Sequence, residues 1–359
     1  MNSTISLLSL ASAAMFFLWP GTCFAQAEPG GKSDPGPDAY KISGPFTHDQ
    51  LSVYLIHGPS AGGPVPLTLN EALAKKLFKV FETGNVNELA FENTGDEPVF
   101  LQSGDIVKGG RQDRVLTTSV LVPGKSGRMP IAAYCVEQHR WSARGQESAA
   151  LFESSARSMP SRKAKLAMMA QSAAPRSART PGREYDTGKR QTEVWSSVAE
   201  TQAKLSARLG APVAAPQSAS SLQLSLENEK LNATKAAYVT ALSGPEKEAG
   251  DVVGLAFAVN GRINSADIYP SHGLFTKMWG KLIDAAATEA IGEAASGEKL
   301  PPPATDAVMA FLAAAASASP EELKLDANTQ RVRRQNDASV LNDTKQNDGK
   351  VLHRSVVAF

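Results

Sequence analysis

Cysteine is nearly absent from this 359-residue chain, which has only Cys23 and Cys135. Two are too few for the disulfide framework that holds small secreted domains together. Net charge is equally scarce: 37 Lys and Arg stand against 36 Asp and Glu, a balance of +1, which gives no whole-chain field for nucleic acid. Aromatics make up 6% and are not interleaved with basic residues, so a stacking platform for bases is missing and no specific nucleic-acid partner is expected. Paired histidine spacing is missing too. His48, His57, His139, His272 and His353 stand apart, and no metal site is expected. Neither a P-loop nor a dinucleotide fingerprint occurs, so no cofactor is expected. What is present is a globular composition, 42% hydrophobic, with core enough for one large or two modest domains.

Charged side chains are wholly lacking from residues 1–27, where ISLLSLASAAMFFL runs up to Pro20-Gly21. That is the pattern of a signal-peptide core, with small residues placing cleavage after Ala25 or Ala27. The run is shorter than the roughly 20 residues that span a bilayer, so no membrane span is expected in the mature chain. The protein is thus expected to be exported, either periplasmic or secreted, with Cys135 as its remaining thiol. Residues 28–45, rich in Pro and Gly, read as a flexible leader. Residues 46–359 read as a single domain, β-rich over 46–141, helical over 142–250, and a hairpin, helix and terminal strands over 251–359.

Local patterns support that division. LSVYLIHG (51–58) reads as a strand and TLNEALAKKLFKVFE as a helix capped by Thr68 or Asn70. NELAFENT, PVFLQSGDIVKGG, RVLTTSVLV and RMPIAAYCVE, separated by Gly and Pro breaks, read as four antiparallel strands. Helices follow at SRKAKLAMMAQSA, at QTEVWSSVAETQAKLSARL with Val194, Val198, Leu205 and Leu209 near one face, and over 220–243. Between the first two lies a Pro/Arg/Gly loop, 174–188. Asn260-Gly261 between GLAFAV and RINSADIY is a hairpin signal. Ser271 is placed to cap a helix through Leu274, Met278 and Leu282, and a Pro-rich connector leads into PATDAVMAFLAAAASA. DASVL and KVLHRSVVAF read as a last strand pair. Strands and helices in runs, without βαβ alternation, make the expected fold class α+β with a largely antiparallel sheet.

Two segments are dense enough in polar groups to carry chemistry. In SGDIVKGGRQDRV (103–115), Lys108, Arg111 and Arg114 surround Gly109-Gly110. Adjacent glycines can turn N–H groups toward an anion, and Arg offers two-point hydrogen bonding to phosphate or carboxylate. Asp105 and Asp113 could fix those arginines as ion pairs. In CVEQHRW (135–141), a continued strand would set Cys135, Glu137, His139 and Trp141 on one face. Even so, Cys135 and His139 would stand about 13 Å apart, too far for a nucleophile and its base. The charge balance is also uneven: residues 140–190 hold 11 basic and 4 acidic side chains, so a local +7 is offset by −6 elsewhere.

These motifs, followed by QTEVW, FAVNGRINSADIY and GKVLHRSVVAF, resemble the domain named for its association with ADP-ribosylglycohydrolases and rhodanese/phosphatase-superfamily proteins, over roughly residues 46–359. The resemblance implies a domain of unknown function with an ADP-ribose or nucleotide link. It carries over polar positions at Gly104, Gly109, Gln112, Arg114, Cys135, Glu137, Arg140, Trp141, Trp195, Asn260, Gly261 and His353. The chain departs from the pattern at Gln102 or Ile106, where an acidic residue is usual, and at His139, where Gly is usual. The leading expectation is a ligand-binding or sensing domain for a phosphate-bearing small molecule. Lys108, Gly109, Gly110, Arg111, Gln112, Arg114 and Arg140 would hold the anion, and Trp141 would stack on a ring. An enzyme is the rival, a hydrolase or transferase using Glu137 as acid/base, Cys135 or water as nucleophile, and His353. The third expectation is an envelope interaction module in which both motifs are structural.

Overall fold

The computed structural model describes residues 35–170, 186–294 and 300–359. The expected signal peptide, the first part of the leader (28–34) and most of the 174–188 loop lie outside the described residues. Those described fall within one compact unit, and its class is α+β.

One sheet joins distant parts of the chain. β1 (Lys41–His48) begins inside the segment expected as leader, because it finds a partner in β2 (Leu51–His57). In β2 every residue but His57 is buried, as a strand covered on both faces requires. Across β2 lies β12 (Val252–Val259), which turns through Asn260-Gly261 into β13 (Arg262–Ile268). Both turn residues have positive φ, 51° and 71°, the conformation a tight two-residue hairpin demands. The order is completed by β17 (Val351–Ala358), β16 (Ser339–Gln346), β15 (Thr329–Gln335) and β14 (Pro320–Lys324), all antiparallel.

Alternation gives this sheet two cores. Leu51, Val53 and Leu55 face a helical layer, α3 (Thr187–Leu209), α4 (Leu222–Leu226), α5 (Glu229–Leu242) and α6 (His272–Gly292). Tyr54 and Ile56 point the other way, onto α7 (Thr305–Ser317) through Val308 and Leu312. Val194, Val198, Leu205 and Leu209 of α3 are buried as their spacing predicts, and the Ser271 hydroxyl caps α6 by accepting from Leu274 N. The expected 220–243 helix is broken in two because Asn228 caps a new start, accepting from Leu231 N.

A second β layer carries the polar motifs. β3 (Leu67–Thr68), β6 (Val99–Leu101) and β9 (Val120–Val122) form a small sheet. β11 (Phe152–Ser158), β7 (Asp105–Gly109), β8 (Arg114–Leu116), β10 (Gly127–Cys135), β5 (Glu88–Asn93) and β4 (Phe78–Asn85) form another. Between them Phe78, Leu89, Phe91, Leu101, Val107 and Ile131 build a separate core. The helix expected over 68–82 is cut to α1 (Leu69–Ala74). Thr68 and Glu71 close a capping box at its start, Lys76 takes a left-handed φ of 58°, and the alternation of buried Phe78 and Val80 then wins as strand β4. The stretch 142–210, expected as helical, contains β11 before α2 (Arg162–Met168). β14 and β15 were not expected at all.

Candidate functional site

β10 ends at Cys135, so the face that would have aligned Cys135, Glu137, His139 and Trp141 does not form. Val136–His139 bend, and His139 takes φ 72°. The bend drops Glu137 into the protein, where its carboxylate is fully buried. Its Oε1 accepts from Arg140 Nε at 2.6 Å and Arg144 Nη1 at 3.1 Å, and its Oε2 from Asp113 N at 2.9 Å and Arg140 Nη2 at 2.5 Å. Asp113, equally buried, accepts from Gly109 N, Arg144 and Ser221 Oγ. Arg140 also donates to the carbonyls of Gly109, Gly110 and Ser142. Each of its N–H groups is thereby engaged.

The anion awaited by the Gly109-Gly110 turn is therefore the protein's own. Gly109 N meets Asp113, Gly110 N meets the Leu151 carbonyl, and Arg111 N meets Glu82 Oε2. Arg114 is fully buried, 3.4 Å from Glu82 and 2.9 Å from the Gln112 carbonyl. Gln112 Nε2 donates to the Glu137 carbonyl at 2.7 Å, and Lys108 is tied to Glu227. Glu82, Asp113, Glu137 and Glu147 equal Arg111, Arg114, Arg140 and Arg144 in number, so the cluster has no surplus positive charge for a further anion.

Burial pushes the Glu137 carboxyl up, but hydrogen bonds from Arg140, Ser218 and Asp113, with the charge of Arg140, override it and hold it below the usual carboxylate range. It is thus a poor proton donor at neutral pH. Cys135 is buried, its Sγ donating to the Glu137 carbonyl. Burial raises the thiol above its ordinary value, against the opposing pull of Arg114, so little thiolate is present for nucleophilic attack. Trp141 is the exposed member, at 42%, with the guanidinium carbons of Arg111 and Arg114 at 5.3 and 5.7 Å from its ring centre.

His353 stands elsewhere, in a partly enclosed chamber of mixed polar and apolar lining, between the large sheet and the loop 117–119 that joins β8 to β9. Residues far apart in sequence converge there: Ser103, Thr118, Lys165, Asp267, Asn342 and His353 among others. Its free volume is about 40 Å³, room for a few waters at roughly 10–15 Å³ each. His353 Nδ1 lies 2.9 Å from Ser119 Oγ and Nε2 lies 3.1 Å from Asp267 Oδ1. Tyr269 packs on the imidazole at 5.0 Å. Burial raises the Asp267 carboxyl, but His353, Lys165 and Ser355 together hold it below the usual range. The Thr118 hydroxyl is buried and has no hydrogen-bond partner. Sequence reasoning singled out His353 and did not single out Ser119, Asp267 or Lys165, which line the same chamber. The one available signal was Thr117-Thr118-Ser119, a polar triplet inside an apolar run.

Residues 39–357 match the family described as ARG and Rhodanese-Phosphatase-superfamily-associated Protein domain, ARPP-1. The chain belongs to this family. It is a domain family of unknown function with an ADP-ribose association. No curated protein and no solved structure matches the chain. The positions carried over to this ARPP-1 domain fall in separate places. Gly109, Gln112, Arg114, Cys135, Glu137 and Arg140 belong to the buried ionic cluster, Asn260-Gly261 to the β12–β13 turn, and His353 to the chamber.

Within the basic block, Arg140, Arg144 and Arg157 meet carboxylates inside the fold, and Lys163 and Arg190 meet them at the surface. Among the described residues no group of three His, Cys, Asp or Glu side chains suits a metal ion, and no helix is long and apolar enough to cross a membrane.

Proposed function

We propose that this ARPP-1 domain binds a small phosphate-bearing molecule of the nucleotide or ADP-ribose type, and that its phosphate end enters the His353 chamber. The buried ionic cluster around Glu137 is the scaffold that holds the second β layer together. The observation that carries this reading is the buried, unpartnered Thr118 hydroxyl on a cavity also lined by Lys165, Arg331 and Asn342. A buried hydroxyl without a partner costs stability until something hydrogen-bonds to it. Lys165 on the same lining supplies a cation that favours a phosphoryl group.

Thermal shift of the purified protein with ADP-ribose, AMP and inorganic phosphate tests the reading. A rise in melting temperature is expected in the wild type and in Lys108→Ala, and its loss in Lys165→Ala and Thr118→Val. A shift lost in Lys108→Ala and kept in Lys165→Ala would return the site to the Gly109-Gly110 turn. We also propose export, with removal of residues up to Ala25 or Ala27. The mature N-terminus, read by mass spectrometry from cell fractions, decides that point.

A further inference from the structure

Ser119, His353 and Asp267 form a chain of side chains along the wall of the chamber, drawn from the β8–β9 loop, β17 and β13. All three are buried. A carboxylate can only accept, so Asp267 beside Nε2 favours the imidazole tautomer that carries its proton there. Nδ1 is then a bare acceptor, and the Ser119 hydroxyl donates to it across 2.9 Å. Ser119 Oγ also accepts from Ser103 N at 2.9 Å, which fixes the oxygen and leaves it a second lone pair. The ring cannot swing away, because Tyr269 covers it at 5.0 Å and Phe100 stands edge-on at 6.1 Å. Tyr269 is itself anchored through its hydroxyl to Gln102 Oε1 at 2.6 Å. The Asp267 contact is close in distance but bent from the ring N–H direction, a geometry that in many sites tightens only when substrate is bound.

A hydroxyl, its base and an orienting carboxylate, in contact and lining one cavity, are the parts of an activated nucleophile. We propose that Ser119 is the nucleophile of a phosphate-monoester hydrolase or phosphoryl transferase, with His353 as general base and Asp267 as the positioning residue. This rests on the reading of the chamber as a phosphate site. In the first half-reaction Ser119 Oγ forms a bond to phosphorus while the bond from phosphorus to the alcohol oxygen breaks. The Ser119 proton passes to His353 Nδ1 and then to the departing oxygen, so a neutral alcohol leaves and a phosphoserine remains. In the second, water gives a proton to His353 and its oxygen attacks phosphorus. The bond to Oγ breaks, and Ser119 recovers the proton. The sum is monoester plus water giving alcohol plus inorganic phosphate. Lys165 and Arg331 would face the charge on the transferring group.

The experiment combines three readouts on the full chain. The first is phosphate release from AMP and p-nitrophenyl phosphate. The second is acid-quenched peptide mapping for a phosphoryl group on Ser119, which does not depend on any variant folding. The third is thermal shift with inorganic phosphate. The wild type should release phosphate and carry the label on Ser119. His353→Gln should lose about 10²–10⁴-fold in turnover, the usual worth of a general base. Ser119→Ala, checked for native circular dichroism, should fall to background while keeping the shift with inorganic phosphate. Absence of phosphate release in the wild type, or equal release by wild type and Ser119→Ala, overturns the inference. If inorganic phosphate still shifts melting in that case, the binding reading stands alone. No shift with inorganic phosphate, AMP or ADP-ribose overturns both.

Discussion

Cys135 lies directly opposite Arg114 across the β8–β10 ladder. The two polar motifs, twenty residues apart in sequence by their numbering, thus meet where Cys135 ends β10 beside β8. The interaction of thiol and guanidinium is internal to the fold. Burial lowers the Arg114 pKa from its ordinary value, with Cys135 and Glu82 acting in the opposite direction.

Removing Arg140 should unfold rather than silence. Arg140→Ala leaves Glu137 and Asp113 buried without one of their main partners, a change that costs about 3–5 kcal/mol when a buried pair is broken. Urea denaturation should show the midpoint falling accordingly. An unchanged midpoint would mean that Arg144 alone neutralises both carboxylates.

Acid should destabilise the protein through the same groups. Glu137 and Asp267 both titrate below their ordinary values in the folded chain. Their contribution is complete above the ordinary range, about 4.3 for Glu and 3.9 for Asp. It is lost as pH falls through the lower folded values. The share of melting temperature due to these two groups should be level from neutrality to about pH 5 and drop below it, and the drop should be less steep in Glu137→Gln relative to that variant's own value at neutrality.

Glu289 has the opposite sign. Burial raises its pKa, with Lys165, Arg162 and Asn264 only partly offsetting it. A raised carboxyl costs stability as pH climbs past the unfolded value. Glu289→Gln should therefore melt higher than wild type at neutral pH, and the two should converge below about pH 4.3. A gap that persists in acid would assign the effect to packing.

Cys135 should be inert to thiol reagents. With the group buried and its pKa raised, modification by an aromatic disulfide should be no faster than unfolding, and urea should accelerate it. Rapid labelling of native protein would mean that the Cys135 to Glu137 region opens.

What was legible in the sequence was local. The Asn260-Gly261 turn and the Ser271 cap depend on backbone chemistry within a few residues, and both formed as read. LFKVFE has spacing that suits helix or strand, and the partner β5, through Phe78↔Asn93 and Val80↔Phe91, decided for strand. β14 and β15 are built from EELK and TQRVRRQ, whose polar faces hide the alternation until Val332 is seen to be buried. Lys108 and Arg114 were read as open to a ligand because a sequence does not show that Glu227 and Glu82 fold back onto them. Ser119 showed only as part of a polar triplet, since its partner His353 lies 234 positions away.

The pairing of β2 with β12, Leu51 against Val259, has a kinetic side. At synthesis rates of about 5–20 residues per second, β12 follows β2 from the ribosome after tens of seconds. Through that delay an almost wholly apolar strand has one edge without its partner, and contacts so distant in sequence slow folding further. The nascent chain is in that interval a client for whatever binds unpaired strands, well before it is a folded domain.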